Sequence, residues 1–386
     1  MVPFLLKLLH VTRQRRRSAP RTAGFTLLEL LIALAMGLII VMTLLGFVNN
    51  VIQTDRQEQA KSTSEQEVQS ALDFIASDLR EAVYIYDQDG VTRNKDTSSP
   101  FDATKSGIRD QIPPVVPTTG CDDATTCSPV LVFWKRSPRP STLPTVSASG
   151  TVTLNQDDAF VYSLVAYYLI NKKDPGWRGT ARIGRFVLRD GVRDPGKDPS
   201  VEPPYVELDA AQTACDTYLA TAKPPDNCLA PQPGFALFGL DKGETKNSMN
   251  SWTKGPAAYS NGANWSNPVS VLVDFIDADN QAVDPNVCKT LSATARLVKP
   301  VFNATTDGTT ADSQTTGTYY TQSRGFYACV DAAQQLAKVY IRGNSLPRIR
   351  NKDIKPEAVQ YNASRASYFP ASNTPTIQAR GFLNNN

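Results

Sequence analysis

A single carboxylate, Glu29, interrupts an otherwise uncharged apolar run over residues 25–48. Placing an ionised acid in a low-dielectric setting is costly unless a cation or hydrogen-bond donors partner it. Glu29 therefore points to ion-pair chemistry within or at the edge of a membrane. Other residue types argue against catalysis. The one histidine, His10, lies in the first 24 residues. If those are removed, no imidazole remains for Ser-His-Asp or Cys-His catalysis or for a His-ligated metal. Acid pairs such as Asp157-Asp158 leave carboxylate chemistry open, but nothing in their placement specifies a glycosidase. A non-enzymatic protein without cofactor or metal is expected.

The elements around Glu29 set its surroundings. At 1.5 Å per residue, a helix over residues 25–48 spans roughly 36 Å, enough to cross a bilayer. Before it, Lys7, Arg13, Arg15, Arg16, Arg17 and Arg21 give residues 1–24 a charge of +6, with no acid. Since the whole chain carries +3, the remainder carries 3 − 6 = −3. Nucleic acid is accordingly not an expected partner of the remainder. The arginine cluster predicts a cytoplasmic N-terminus at the inner membrane, with everything after about residue 50 outside. A secretory signal carries its small-residue cleavage site after the apolar stretch. Here Ala23 and Gly24 precede it.

The run Gly24-Phe25-Thr26-Leu27-Leu28-Glu29, behind a basic leader and ahead of an apolar segment, resembles the type IV prepilin signature. The resemblance implies cutting by prepilin peptidase after Gly24, methylation of the new N-terminal Phe25, and assembly with other pilins or pseudopilins. It also implies that Glu29 pairs with the N-terminal amine of a neighbouring subunit. Physically, each charge makes the other tolerable in low dielectric. The leader is long for that family, and Gly37 and Gly46 stand in the apolar segment without a helix-bending proline. Residues 69–86 (QSALDFIASDLREAVYIY) resemble the larger W- and J-type minor pilins and pseudopilins. Residues 54–87 and 128–136 (SPVLVFWKR) resemble the pseudopilins of hormogonium polysaccharide secretion in filamentous cyanobacteria.

Beyond the apolar run, Val68, Ala71, Leu72, Ile75, Leu79, Ala82, Val83 and Tyr86 recur at three- and four-residue steps. This spacing predicts one helix of about 60 residues, ending near Asp89-Gly90. Glu65, Glu67, Asp73, Ser77, Asp78 and Arg80 fall on its opposite face, and residues 53–67 read as a polar stalk that packs on nothing. Residues 90–128 read as loop, followed by strands at 130–134, 159–169, 182–188, 235–238, 269–276, 293–298 and 338–342. Residues 161–168 and 183–188 are expected to pair antiparallel. Residues 332–336 fit a short helix or a strand end, and residues 303–323 and 362–386 read as loose. The expected organisation is a leader (1–24), a transmembrane helix (25–48), a stalk and amphipathic helix (49–89) and an extracytoplasmic head (90–386). The fold class is α+β and type IV pilin-like: a long helix on an antiparallel sheet, with a large loop-rich head.

All six cysteines fall on the outer side, where an even number favours disulfides. Six allow 15 pairings; the sequential one, Cys121–Cys127, Cys215–Cys228 and Cys288–Cys329, is expected. Asp274, Asp277, Asp279, Asn280 and Asp284 form an oxygen-rich stretch that reads either as a calcium site or as a strand ending in an Asp/Asn turn. Trp177, Trp252 and Trp265 read either as a platform for a polysaccharide or as loop anchors. The alternative to a filament subunit is thus a membrane-anchored module that binds a glycan or another surface ligand.

Overall fold

The computed structural model describes residues 24–146, 152–192, 231–255, 265–279, 281, 283–302, 323–349 and 359–380. The chain divides into two compact units between Arg56 and Gln57. The first unit contributes the start of helix α1 (Leu27–Arg80, 54 residues). No residue from 24 to 56 is buried.

In the second unit, Ala60, Ser64, Val68, Ala71, Leu72, Ile75, Ala76 and Leu79 of α1 are buried at helical spacing. From Val68 onward, the apolar members of this face join the main hydrophobic core. The helix ends nine residues before the expected stop. Ala82–Ile85 forms strand β1 instead, because Val83, Tyr84 and Ile85 are β-branched or aromatic and suit a buried pleat. Asp87 then caps a short helix, α2 (Gln88–Thr92), accepting from the Gly90 N–H at 3.1 Å. The Asp89-Gly90 pair thus lies inside a second helix rather than ending the first.

Strands β2 (Cys127–Val146), β3 (Val152–Ile170), β4 (Ala181–Arg189) and β5 (Ser270–Ile276) extend β1 into an antiparallel sheet of order β1-β2-β3-β4-β5. The β3–β4 register runs from Ser163 opposite Arg189 to Ile170 opposite Arg182, as the two alternating runs imply. Residues 235–238 form no strand. Gly234 turns the chain at φ +81° against Trp265, and Phe235 and Phe238 then pack edge-on against Trp134 at 5.9 and 5.0 Å.

A second antiparallel sheet comprises β6 (Arg296–Val298), β7 (Phe326–Asp331), β8 (Leu336–Arg342), β9 (Ala371–Asn373) and β10 (Ile377–Gln378), with β9 and β10 both pairing with β8. Between β7 and β8 the chain turns tightly, so residues 332–335 are neither helix nor strand. Gln335 there accepts the Ile85 N–H at 2.7 Å, tying β1 to the second sheet. Residues 363–380 are ordered rather than loose, because β9 and β10 find partners on β8. Residues 303–322 and 381–386 lie outside the described residues.

The stretch 53–67 is not a bare stalk. From Gln57 onward it is held by the segment after β8. Arg348 donates to Ser64 Oγ at 3.1 Å and pairs with Glu67, Tyr368 donates to Gln57 at 3.0 Å, and Lys61 lies 4.7 Å from the Tyr368 ring.

Asp78 departs further from expectation, because it is buried rather than solvated. Its carboxylate accepts from Lys135 Nζ at 3.0 Å, Tyr167 Oη at 2.6 Å and Arg185 Nε at 2.8 Å. One helical side chain thereby joins α1 to β2, β3 and β4. Glu81 adds Lys135 at 3.0 Å and Ser137 at 2.7 Å. Burial opposes the charge on Asp78, yet Arg185, Tyr167 and Lys135 together hold its carboxyl below the usual carboxylate range. The disulfides Cys121–Cys127 and Cys288–Cys329 are formed as expected. Cys215 and Cys228 lie outside the described residues.

Candidate assembly site at the start of the long helix

Thr26 precedes the first helical residue, and its carbonyl accepts the Leu30 N–H at 3.1 Å. Its hydroxyl accepts the Glu29 N–H at 3.2 Å. In return, Glu29 Oε2 accepts from the Thr26 N–H and the Thr26 hydroxyl, each at 3.3 Å. This reciprocal pairing is a capping box, which satisfies orphan donors at the helix start. The carboxylate also favours the positive end of the helix dipole. Glu29 therefore has a local role beside any intermolecular one. The signal was present in the T-x-x-E spacing, although Thr26 was not singled out from the sequence.

Gly24 and Phe25 precede the helix, and Phe25 is 85% exposed. No heavy atom lies within 4 Å of where a Gly24 Cβ would stand, so packing within the chain does not demand a glycine there. Leu27 through Val48 then present apolar side chains on every side, none of them buried. Among the described residues, α1 is the one helix long and apolar enough to cross a membrane. An apolar surface of this extent is stable only in lipid or against other chains.

Residues 20–46 match the family model described as the prokaryotic N-terminal methylation motif. The chain is type IV prepilin-like. The match takes in Gly24, Phe25, Thr26 and Glu29 together with most of the exposed apolar run. No curated protein and no solved structure matches the chain. The fold of this prepilin-like chain agrees with the same assignment, since a long N-terminal helix lies against antiparallel sheet in a loop-rich head.

The other candidate residues are not brought together as a site. Asp277 and Asp279 are buried and engaged by Arg342, whose Nε donates to Asp277 at 2.7 Å and whose Nη2 donates to Asp279 at 2.8 Å. Asp274 accepts the backbone N–H groups of Arg178 and Gly179 at 3.2 and 3.0 Å. Asp284 caps the short 3-10 helix Pro285–Thr290 through the Asn286 N–H at 2.9 Å. Asn280 lies outside the described residues. Arg342 thus engages Asp277 and Asp279, backbone donors engage Asp274 Oδ2 and Asp284, and Asp274 Oδ1 is the one buried oxygen of these left without a donor. Among the described residues these acids are not gathered around one point, and the turn reading describes this stretch better. Trp252 and Trp265 are buried, with Trp252 donating to the Ala236 carbonyl at 2.8 Å. They anchor loops. Only Trp177 of the three is exposed, at 42%.

Proposed function

We propose that the chain is a low-copy minor pilin or pseudopilin, a structural subunit rather than an enzyme. Prepilin peptidase cuts it after Gly24, and the amine of Phe25 is methylated. Before assembly it sits in the inner membrane as a single span, with the leader in the cytoplasm and the head outside. In the filament, the 25–48 stretch joins the hydrophobic core and Glu29 pairs with a neighbour's N-terminal amine. The observation that carries this reading is the uniformly exposed apolar helix starting at a capped glutamate within the methylation motif. A low copy number follows from the head, whose many loops would crowd a repeating lattice. The resemblance of residues 54–87 and 128–136 to pseudopilins of polysaccharide-secreting cyanobacterial filaments supports a role in polysaccharide export and gliding. The glycan-binding alternative has less support, because two of its three tryptophans are buried.

The Glu29 position separates capping from charge. Gln also completes a capping box, whereas Ala does not. If Glu29 pairs with an amine, both Glu29→Gln and Glu29→Ala lower co-purification with other pilins from sheared filaments by at least ten-fold. Normal co-assembly of Glu29→Gln with loss in Glu29→Ala would reduce Glu29 to a helix cap.

A further inference from the structure

The second sheet carries a cavity of about 360 Å³, a size common among sites that hold small ligands. Its floor is a pair of tyrosines on neighbouring strands. Tyr327 of β7 stands directly opposite Tyr340 of β8. Their rings lie parallel, with centres 4.7 Å apart and planes 8° from each other. Both are half-buried, so they are open to a ligand in a way that core rings are not. One wall is Asn373 of β9, which stands opposite Tyr340 on the other edge of β8. The other wall is Asp284 and Val287, at the 3-10 helix Pro285–Thr290.

Both walls are held in place before any ligand arrives. The Cys288–Cys329 disulfide joins the 3-10 helix to β7. Thr294 Oγ1 donates to Asp331 Oδ2 at 2.6 Å, which ties the segment after that helix to the end of β7. On the other side, β9 is paired along β8 from Asn373 opposite Tyr340 to Ala371 opposite Arg342. A preformed site lowers the ordering cost of binding.

Polar groups of both kinds surround the rings without being used inside the chain. Among the described residues, neither tyrosine hydroxyl makes a hydrogen bond, and nor does the Asn373 side chain. Asp284 accepts from Asn286 through Oδ1 alone, leaving Oδ2 without a donor. Hydroxyls and an amide donate and accept, and a carboxylate accepts. The charges select no ion. Arg342 is already paired with Asp277 and Asp279, which leaves one carboxylate, Asp284, and one guanidinium, Arg324, in the lining. The floor strands also have a neighbour on both sides, so they offer no free main-chain edge to a peptide strand. Aromatic faces ringed by donors and acceptors suit a pyranose. Its flat side turns polarised C–H groups toward the negative face of an aromatic ring, and its hydroxyls donate and accept around the rim. We propose that this cavity binds a neutral sugar residue of a polysaccharide chain, stacked on the Tyr327–Tyr340 pair and hydrogen-bonded to Asn373 and Asp284. For the source of that chain, the inference rests on the export reading above.

The test uses the full chain in a detergent without sugar headgroups. Isothermal titration calorimetry measures binding of neutral hexasaccharides of glucose, galactose and mannose, of hexaglucuronate, and of fragments of the polysaccharide released by the native cells. At least one neutral hexasaccharide is expected to bind, at least ten-fold more tightly than hexaglucuronate. Tyr340→Ala should lower that affinity at least ten-fold, while Tyr340→Phe, which keeps the ring, retains most of it. Asn373→Ala, on an exposed residue outside the core, should lower it at least three-fold without changing the unfolding midpoint. Binding of none of these sugars, preference for hexaglucuronate, or an affinity indifferent to Tyr340→Ala and Asn373→Ala would overturn the proposal. The export reading is checked separately, by the polysaccharide released from cells lacking the chain. Normal release there, with hexasaccharide binding intact, would reject the export role and leave the site standing. Lost release with no sugar binding would reject the site and leave the export role.

Discussion

Replacing Asp78 with alanine is expected to destabilise the head by about 3–5 kcal/mol, the usual cost of breaking a buried ion pair from one side. Asp78 sits where α1 meets three strands and takes hydrogen bonds from Lys135, Tyr167 and Arg185. Without it, Lys135 retains Glu81 at 3.0 Å. Arg185, largely covered at 22% side-chain exposure, loses its only ion-pair partner among the described residues. Asn at position 78 keeps the volume and an acceptor for Tyr167, so Asp78→Asn should cost less than Asp78→Ala. The pH dependence has a definite sign. The folded-state carboxyl lies below its ordinary value of 3.8, so the unfolded chain takes up the proton first on acidification. The stability contributed by Asp78 is therefore present above about pH 4 and is lost as pH falls through the folded value. Denaturant unfolding of the full chain in detergent, followed by tryptophan fluorescence, measures both effects. A loss below 1 kcal/mol for Asp78→Ala would show that the network is not a clamp.

Arg342→Met is expected to cost a similar 3–5 kcal/mol at pH 7, because it leaves Asp277 and Asp279 buried without a cation. Here the pH dependence runs the other way. Burial pushes the Asp277 carboxyl up to about 6, against the pull of Arg342 and with a further push from Asp279. The folded state thus holds this proton more tightly than the unfolded chain does. The stabilising protonation is complete below about pH 4 and is lost as pH rises through about 6. The wild-type chain should gain stability from this group between pH 7 and 5, and Asp277→Asn should abolish that gain. The defect of Arg342→Met should shrink over the same interval. A defect that stays constant from pH 7 to 5 would mean that Asp277 keeps its charge in the folded state.

The N-terminal methylation motif was legible in the sequence because its signal is local: an uninterrupted apolar run, one acid, and small residues before it. The same holds for the β3–β4 pair and for Cys121–Cys127, six positions apart, whereas Cys288–Cys329, 41 positions apart, followed only from pairing the cysteines in order. The end of α1 was misread because Ala82, Val83 and Tyr86 satisfy a helical spacing as readily as a buried strand does. What decided between them was pairing with Phe133, Trp134 and Lys135, about 50 residues away in the chain. Asp78 was misplaced for a related reason. A carboxylate beside apolar neighbours reads as solvated until its partners are known, and Lys135, Tyr167 and Arg185 lie 57, 89 and 107 positions away. The aspartates at 277 and 279 suggested a cation, and the cation is the Arg342 side chain. Residues 363–380 carry no strong pattern of their own and are ordered by β8.

The central claim concerns the chemistry at Gly24 and Phe25, and mass spectrometry of the N-terminal peptide tests it most directly. The peptide would be taken from the membrane fraction of cells with and without prepilin peptidase. The account predicts a peptide beginning at N-methylated Phe25 when the peptidase is present, and a chain still carrying its leader when it is absent. A leader-bearing chain in both would contradict it and leave residues 25–48 as an ordinary membrane anchor.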